Sequence, residues 1–166
     1  MSISSSLELR PVRFEEVAQI LSLIQRAIER GCREHYDSGQ RHAVFLTYAQ
    51  ALFAEVRGPF ESIVATRENP PVGFAQFDPV TGRVRALFVD DDAQHLGVGR
   101  LLLAEIERRA RLRSGQRLHG AMSLNAVPFY ALAGFRPCGG PEHLRAAGVL
   151  VPVVRMEKRL RQFAPQ

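Results

Sequence analysis

Little in this chain of 166 residues could form a covalent or metal framework. Cys32 and Cys138 are its only cysteines, and neither belongs to a CxxC pair. That excludes a disulfide scaffold. The five histidines, at 35, 42, 95, 119 and 143, show no HExxH or comparable spacing, so no metal is expected. No apolar run approaches the ~18 residues of a membrane span. The opening Met1-Ser2-Ile3-Ser4-Ser5-Ser6 has neither the basic nor the apolar region of a signal peptide, which makes the cytoplasm the expected location and leaves no membrane partner. Tryptophan is absent, and no compact Lys/Arg run is interleaved with aromatics. The net charge of +5 and the pI near 10.0 therefore fit arginine-rich helix faces or a small polyanionic ligand better than nucleic acid.

What is present suits one soluble domain over residues 1–166, with 46% hydrophobic and 23% charged residues. Leu7 to Arg13 alternates as a strand, and Pro11 marks an edge or an end. Val17, Ile20, Leu21, Ile24, Ala27 and Ile28 recur at helical spacing, so a helix is expected from Phe14 to about Glu29, ended by Gly31. Asp37-Ser38-Gly39 reads as a turn, and a second helix spans about Gln40 to Val56, stopped by Gly58-Pro59. Strands follow at Glu61–Arg67, Val72–Phe77 and Arg83–Val89, the last two joined by the hairpin loop Asp78-Pro79-Val80-Thr81-Gly82. A helix runs from Gly97 or Val98 to about Arg113, with Leu101, Leu102, Ile106 and Ala110 at its period. Then come a short strand (Leu118–Met122), a short helix (Ala126–Ala133) closed by Gly134, a looped segment from Gly139-Gly140-Pro141, and a last strand (Val149–Lys158). The order β-α-α-β-β-β-α-β-α-β gives a mixed sheet with helices on both faces.

The stretch Gln94-His95-Leu96-Gly97-Val98-Gly99-Arg100 sits between an apolar strand and a helix start. A helix N-terminus leaves backbone N–H groups unpaired and carries partial positive charge, so a phosphate fits there. Glycines allow close approach and positive φ. The segment is neither GxGxxG, since Leu102 holds the third place, nor a Walker loop.

Gln94-x-x-Gly97-x-Gly99 resembles the acyl-CoA signature of the GNAT N-acetyltransferase superfamily. About thirty residues on, Ser123-Leu124-Asn125-Ala126-Val127-Pro128-Phe129-Tyr130-Ala131-Leu132-Ala133-Gly134-Phe135 resembles its second signature, an Asn-Ala, a Phe-Tyr and a Gly-Phe around a short helix. The element order is also similar. The resemblance is strong from about Val72 to Phe135 and weaker outside. It implies a GNAT-like α/β fold, with a central mixed, mostly antiparallel sheet flanked by helices, and an N-acetyltransferase that uses acetyl-CoA as co-substrate. His95-Leu96 departs from the family, where many members carry Gly and a basic residue.

By that resemblance, N–H groups from Gln94 to Arg100 cradle the CoA pyrophosphate, and the strand Leu87-Phe88-Val89 pairs with the pantetheine arm. A backbone N–H of that strand can face the thioester oxygen, where charge develops. Arg100 either adds charge or is a solvated helix arginine. Tyr130 is implied as the acid that protonates the leaving thiolate; packing beside Phe129 is the competing role. Asn125 either bonds the pantetheine or caps its helix. A general base is not evident, because Arg83 to Val89 contains no acid. Asp90, Asp91 and Asp92 read as a solvated turn or cap cluster. Glu29, Glu34, His35, Tyr36 and Asp37 lie in the region that lines the acceptor cleft in this fold, with Glu34, His35 and Tyr36 the candidates for substrate contact.

The leading expectation is acetyl transfer from acetyl-CoA to a small-molecule or peptide amine by direct attack. A catalytically inactive acyl-CoA-binding sensor is the alternative, and a basic nucleic-acid-binding protein a third. A homodimer is a further expectation from the resemblance.

Overall fold

A computed structural model describes residues 6–54 and 59–161. Among the described residues, the first strand, β1 (Leu7–Pro11), pairs only with β2 (Glu61–Arg67) and forms a sheet edge, which suits Pro11. Between them run a 3-10 turn (Phe14–Glu16), helix α1 (Val17–Gly31) and helix α2 (Ser38–Ala54). Glu16 ties the entry to α1 against β1. Its carboxylate accepts hydrogen bonds from Arg10 Nη1 (2.9 Å), Arg10 Nη2 (2.5 Å) and the Arg13 N–H (3.0 Å). α1 buries Val17, Ile20, Ile24, Ala27 and Ile28 of the expected stripe, with Leu23 in place of Leu21, which is half-buried.

Asp37-Ser38-Gly39 is not a free turn. Asp37 Oδ1 accepts the Gln40 N–H (2.8 Å) and Gln40 Oε1 accepts the Asp37 N–H (3.1 Å). This reciprocal cap starts α2 at Ser38. The expected stop at Gly58 lies outside the described residues, and α2 is described to Ala54.

β2, β3 (Pro71–Phe77) and β4 (Val84–Val89) continue the first antiparallel sheet in the order β1-β2-β3-β4. Its register shifts between Gln76 and Phe77, where Arg85 is the extra residue of β4. Such a bulge twists and bends the strand. One face, with Phe74 and Ala86, packs on α1 and α2. The other, with Ile63, Ala65, Ala75, Phe77 and Val84, packs on α3 (Val98–Leu112). Of the expected α3 stripe, Leu102, Ile106 and Ala110 are buried, whereas Leu101 is 44% exposed and Leu103 takes its place inside.

The second sheet holds β5 (Arg117–Ser123), β6 (Arg136–Pro137), β7 (Glu142–Ala146) and β8 (Val149–Arg159). β8 pairs antiparallel with β5 on one edge and with β6 and β7 on the other. Helix α4 (Val127–Leu132) follows a 3-10 turn at Leu124–Ala126. β7 replaces the loop expected after Gly139. Its hairpin with β8 turns at Ala147 and Gly148, both at positive φ (44° and 82°), the conformation of a two-residue strand reversal.

The overall picture is mixed and mostly antiparallel, as expected, but the sheet is parted. Among the described residues, β4 and β5 are joined by one parallel bridge, Arg83 to His119, with the His119 N–H donating to Gly82 O (3.0 Å). Past that bridge the strands separate.

Candidate active site

The parting of β4 from β5 has a local cause at each end. At the closed end the backbones nearly touch: a Cβ on Gly120 would lie 2.7 Å from Val84 O. Only glycine permits that approach. At the open end, β4 is bent by the Arg85 bulge, and the Arg85 carbonyl is held by the Tyr48 hydroxyl (3.1 Å). Leu87-Phe88-Val89 is thus paired with β3 on one side and borders cavities on the other. Leu87 and Val89 pack toward α3, and Phe88 toward α1 and α2, where it meets Tyr48 edge-on at 4.9 Å.

The larger cavity, about 630 Å³, opens at the N-terminus of α3. It is bounded by Leu87 and Val89, by the turn from Gln94 to Arg100, and by Asn125, Phe129 and Tyr130. Gly97 caps α3 at φ 79°, and a Cβ there would meet nothing within 4 Å. His95 also has positive φ (68°). These two left-handed residues swing the chain so that α3 begins at the cavity wall. The first intrahelical bond runs from the Leu101 N–H to Gly97 O (3.0 Å), so the N–H groups of Val98, Gly99 and Arg100 precede it and have no helical acceptor. Gly99 serves packing: a Cβ there would sit 3.3 Å from Phe129 Cε2, so its lack of a side chain lets α4 close on α3. Oxygen-rich anions fit such a cradle.

Tyr130 stands where this cavity meets a second one of about 60 Å³ on the α1/α2 side, the two sharing Leu87, Ala126 and Tyr130 as walls. Its ring is packed edge-on against Phe129 and Phe135, each at 5.1 Å. Burial, with Tyr48 adding a smaller effect, drives its hydroxyl well above the ordinary phenol range. It therefore stays protonated at every physiological pH, a fixed donor at the junction.

Of the residues singled out in the sequence, Leu87, Val89, Gln94, His95, Gly97, Val98, Gly99, Arg100, Asn125 and Tyr130 border the larger cavity. Phe88 borders the smaller one. Leu96 borders neither of the two and is 49% exposed. Asn125 does not cap its helix: no side-chain cap is made there, and its Oδ1 accepts from Cys32 Sγ (3.2 Å). Glu34 and His35 are exposed on the turn after α1, away from both cavities. Tyr36 is buried as a bridge, donating to Pro152 O (2.6 Å) and accepting the Leu124 N–H (3.0 Å). Glu29 pairs with Arg41 (3.2 Å). Asp90, at the N-cap position of the 3-10 turn Asp91–Ala93, and Asp91 in its first turn pair with Arg26 (2.6 Å) and Arg30 (3.3 Å) of α1, so two members of the expected turn or cap cluster also staple α1 to that turn, while Asp92 is exposed.

Sequence reading missed Cys32, Tyr48, Arg85 and Ser123, all walls of the smaller cavity. Ser123 opens the second signature segment but was not singled out there, and Cys32, Tyr48 and Arg85 lie in no motif; the β4 bulge at Arg85 is a property of the pairing, not of local sequence. Burial raises the Cys32 thiol to about 11, which keeps it protonated and unreactive as a nucleophile.

A GNAT acetyltransferase domain model matches residues 29–160. Among curated proteins, no match to the chain is found. Solved structures give a consistent likeness. A GCN5-related N-acetyltransferase (aminotransferase, class II) from Rhodopseudomonas palustris superposes with a TM-score of 0.85 at 26% identity, covering 96% of this chain and 99% of that one. The PaiA N-acetyltransferase from Thermoplasma acidophilum, solved in complex with coenzyme A, gives 0.72 at 15% identity, covering 93% and 99%. The ribosomal-protein-S18-alanine N-acetyltransferase from Escherichia coli gives 0.71 at 15%, covering 97% of each. With the domain model spanning most of its length, the chain belongs to the GNAT acetyltransferase superfamily.

Proposed function

We propose that the protein is an acetyl-CoA-dependent N-acetyltransferase that acylates an amine by direct attack. The observation that carries this reading is the meeting of two cavities at Tyr130, one walled by a helix N-terminus and an open strand edge, the other on the opposite side of the sheet. The residues fit an acyl-CoA. N–H groups of Val98, Gly99 and Arg100 suit a pyrophosphate. The edge Leu87-Phe88-Val89 suits an extended amide-bearing arm. Bound there, acetyl-CoA supplies an acyl group activated as a thioester.

The rest is the work of this chain. The β4 edge orients the thioester, and a β4 N–H stabilises the oxygen as charge develops on it. Tyr130 donates a hydrogen bond to the departing sulfur. Its raised pKa makes net transfer of its own proton unfavourable, so it steadies the thiolate or relays a proton that comes from the amine. Cys32, held protonated against Asn125, does not support an acyl-cysteine route.

A second reading, an inactive acyl-CoA-binding sensor, draws support from the missing acid on β4. Calorimetric titration with acetyl-CoA and CoA, followed by thiol release with an amine panel, separates the two. Binding with turnover supports the transferase, and binding without turnover supports the sensor.

A further inference from the structure

On the transferase reading, the small cavity behind Tyr130, on the side of the sheet opposite the α3 cradle, is where the amine nitrogen approaches the thioester carbon. Its walls are Ile28 and Cys32 of the α1 end, Val44 and Tyr48 of α2, Val84–Phe88 of β4, Ala121–Ser123 of β5, and Ala126 and Tyr130. Among these, Cys32, Tyr48, Arg85 and Tyr130 can titrate.

None of them can take a proton at neutral pH. The Cys32 thiol donates to Asn125 and is raised to about 11 by burial. The Tyr48 hydroxyl donates to Arg85 O and is raised to about 12, again by burial. Tyr130 is raised further, and Arg85 is a cation, its guanidinium 4.9 Å over the Phe60 ring. Among the described residues, the carboxylates at the end of α1 and just after β4 are committed: Glu29 to Arg41, Asp90 to Arg26 and Asp91 to Arg30. Asp37 caps α2. Glu34 and His35 are exposed on the α1–α2 turn, and His42 and His143 are exposed on α2 and β7; none of these four lines the cavity. His119, at the closed end of the seam, has its Nε2 3.2 Å from Thr81 O.

An ammonium group entering this space would lose water and, among the described residues, find no carboxylate or imidazole in its walls. Each of these disfavours the charged form. Resting on the transferase reading, we propose that the acceptor is a weakly basic amine, an α-amino group or an aromatic amine, which enters the site already uncharged. The bond inventory then closes without a base. The neutral nitrogen forms the C–N bond, the C–S bond breaks, and the proton shed by the nitrogen ends on the sulfur, Tyr130 lying between them. The products are an amide and free CoA thiol, with no net proton released.

The size of the selection follows from free-base fractions. At about pH 7.5, an α-amino group with a pKa of ~7.8 is roughly one-third neutral, whereas a lysine-type amine at ~10.4 is roughly one part in 800 neutral. That difference of about 250-fold is offset in part by the greater nucleophilicity of the stronger base.

The test is kcat/KM against pH for three amine types, an amino-acid amide, a ring-substituted aniline and an alkyl amine, followed by thiol release. The expected inflection moves with the amine: near pH 8 for the α-amine, absent above about pH 6 for the aniline, and still rising at about pH 9 for the alkyl amine. At about pH 7.5 the weak bases lead by roughly tenfold or more. Tyr48→Phe leaves each inflection in place. One inflection common to all amines would reveal a protein base and overturn the proposal, as would preference for the alkyl amine. Acetyl-CoA binding without acetylation of any amine at about pH 9 would overturn it too. Failure to bind acetyl-CoA in calorimetry would instead remove the transferase reading beneath it.

Discussion

Replacing Gly97 by valine separates the ligand role of the α3 cap from its structural role. Gly97 sits at φ 79° with open space where a Cβ would be. The substitution therefore clashes with nothing and strains only the backbone. Left-handed geometry costs an L-residue about 1–2 kcal/mol, and more for a β-branched one, which in a chain of this size lowers Tm by roughly 3–8 °C. The fold should survive. The new side chain, however, would project from the cavity wall, and relief of the strain would turn the adjoining N–H groups. Losing one charge-assisted hydrogen bond of about 1.5–3 kcal/mol weakens acetyl-CoA binding roughly 10- to 150-fold. Gly148→Val is the matched control. Gly148 has φ 82° and equally open space, but caps the β7–β8 hairpin away from the cavity. Both variants should lose similar stability by thermal melting, and only Gly97→Val should lose affinity by calorimetry. Equal affinity in the two variants would refute the phosphate cradle.

Other expectations follow from the same geometry. Tyr130→Phe should lower turnover roughly 100-fold while acetyl-CoA affinity stays within about threefold; unchanged turnover would remove Tyr130 from the mechanism. Cys32, with its thiol near 11, should resist iodoacetamide at about pH 8 in the folded protein, where its thiolate is only ~0.1% populated; labelling as fast as in the unfolded chain would contradict the burial argument. The Arg10 hydrogen bonds hold the Glu16 carboxyl down at about 2. Its unfolded value is ~4.3, so its contribution to stability is complete above that pH and fades as pH falls toward 2. Glu16→Gln should therefore lower Tm at about pH 7 and converge on the parent protein in acid; a constant difference across that range would exclude the ion pair as the cause.

Much of this was legible in the sequence because it rests on local rules. α1 announced itself through Val17, Ile20, Ile24 and Ile28, and the cap of α3 through Gly97 and Gly99. β7 was not legible. Glu142-His143-Leu144-Arg145-Ala146 has little strand propensity and forms because β8 offers an edge, and its Ala-Gly turn lacks the usual Asn-Gly signal. Asp37 read as a turn residue because the same side chain favours both turns and helix caps; only Gln40 three positions on decides for the cap. In the site, the Gly-turn and Asn-to-Phe segments were visible as motifs, whereas Cys32, Tyr48 and Arg85 are brought together by the bulge and by packing across the sheet. Asp90 and Asp91 looked solvated because their arginine partners lie more than sixty residues earlier.

The near-contact of Gly82 and Gly120 with the opposing backbone makes the closed end of the β4–β5 seam a fulcrum. Two strands that touch at one point and diverge behave as the arms of a lever, with Leu87 on one arm and Tyr130 just beyond the end of the other. The β4 edge and Tyr130 are thus held together from one end by two glycines that border neither cavity.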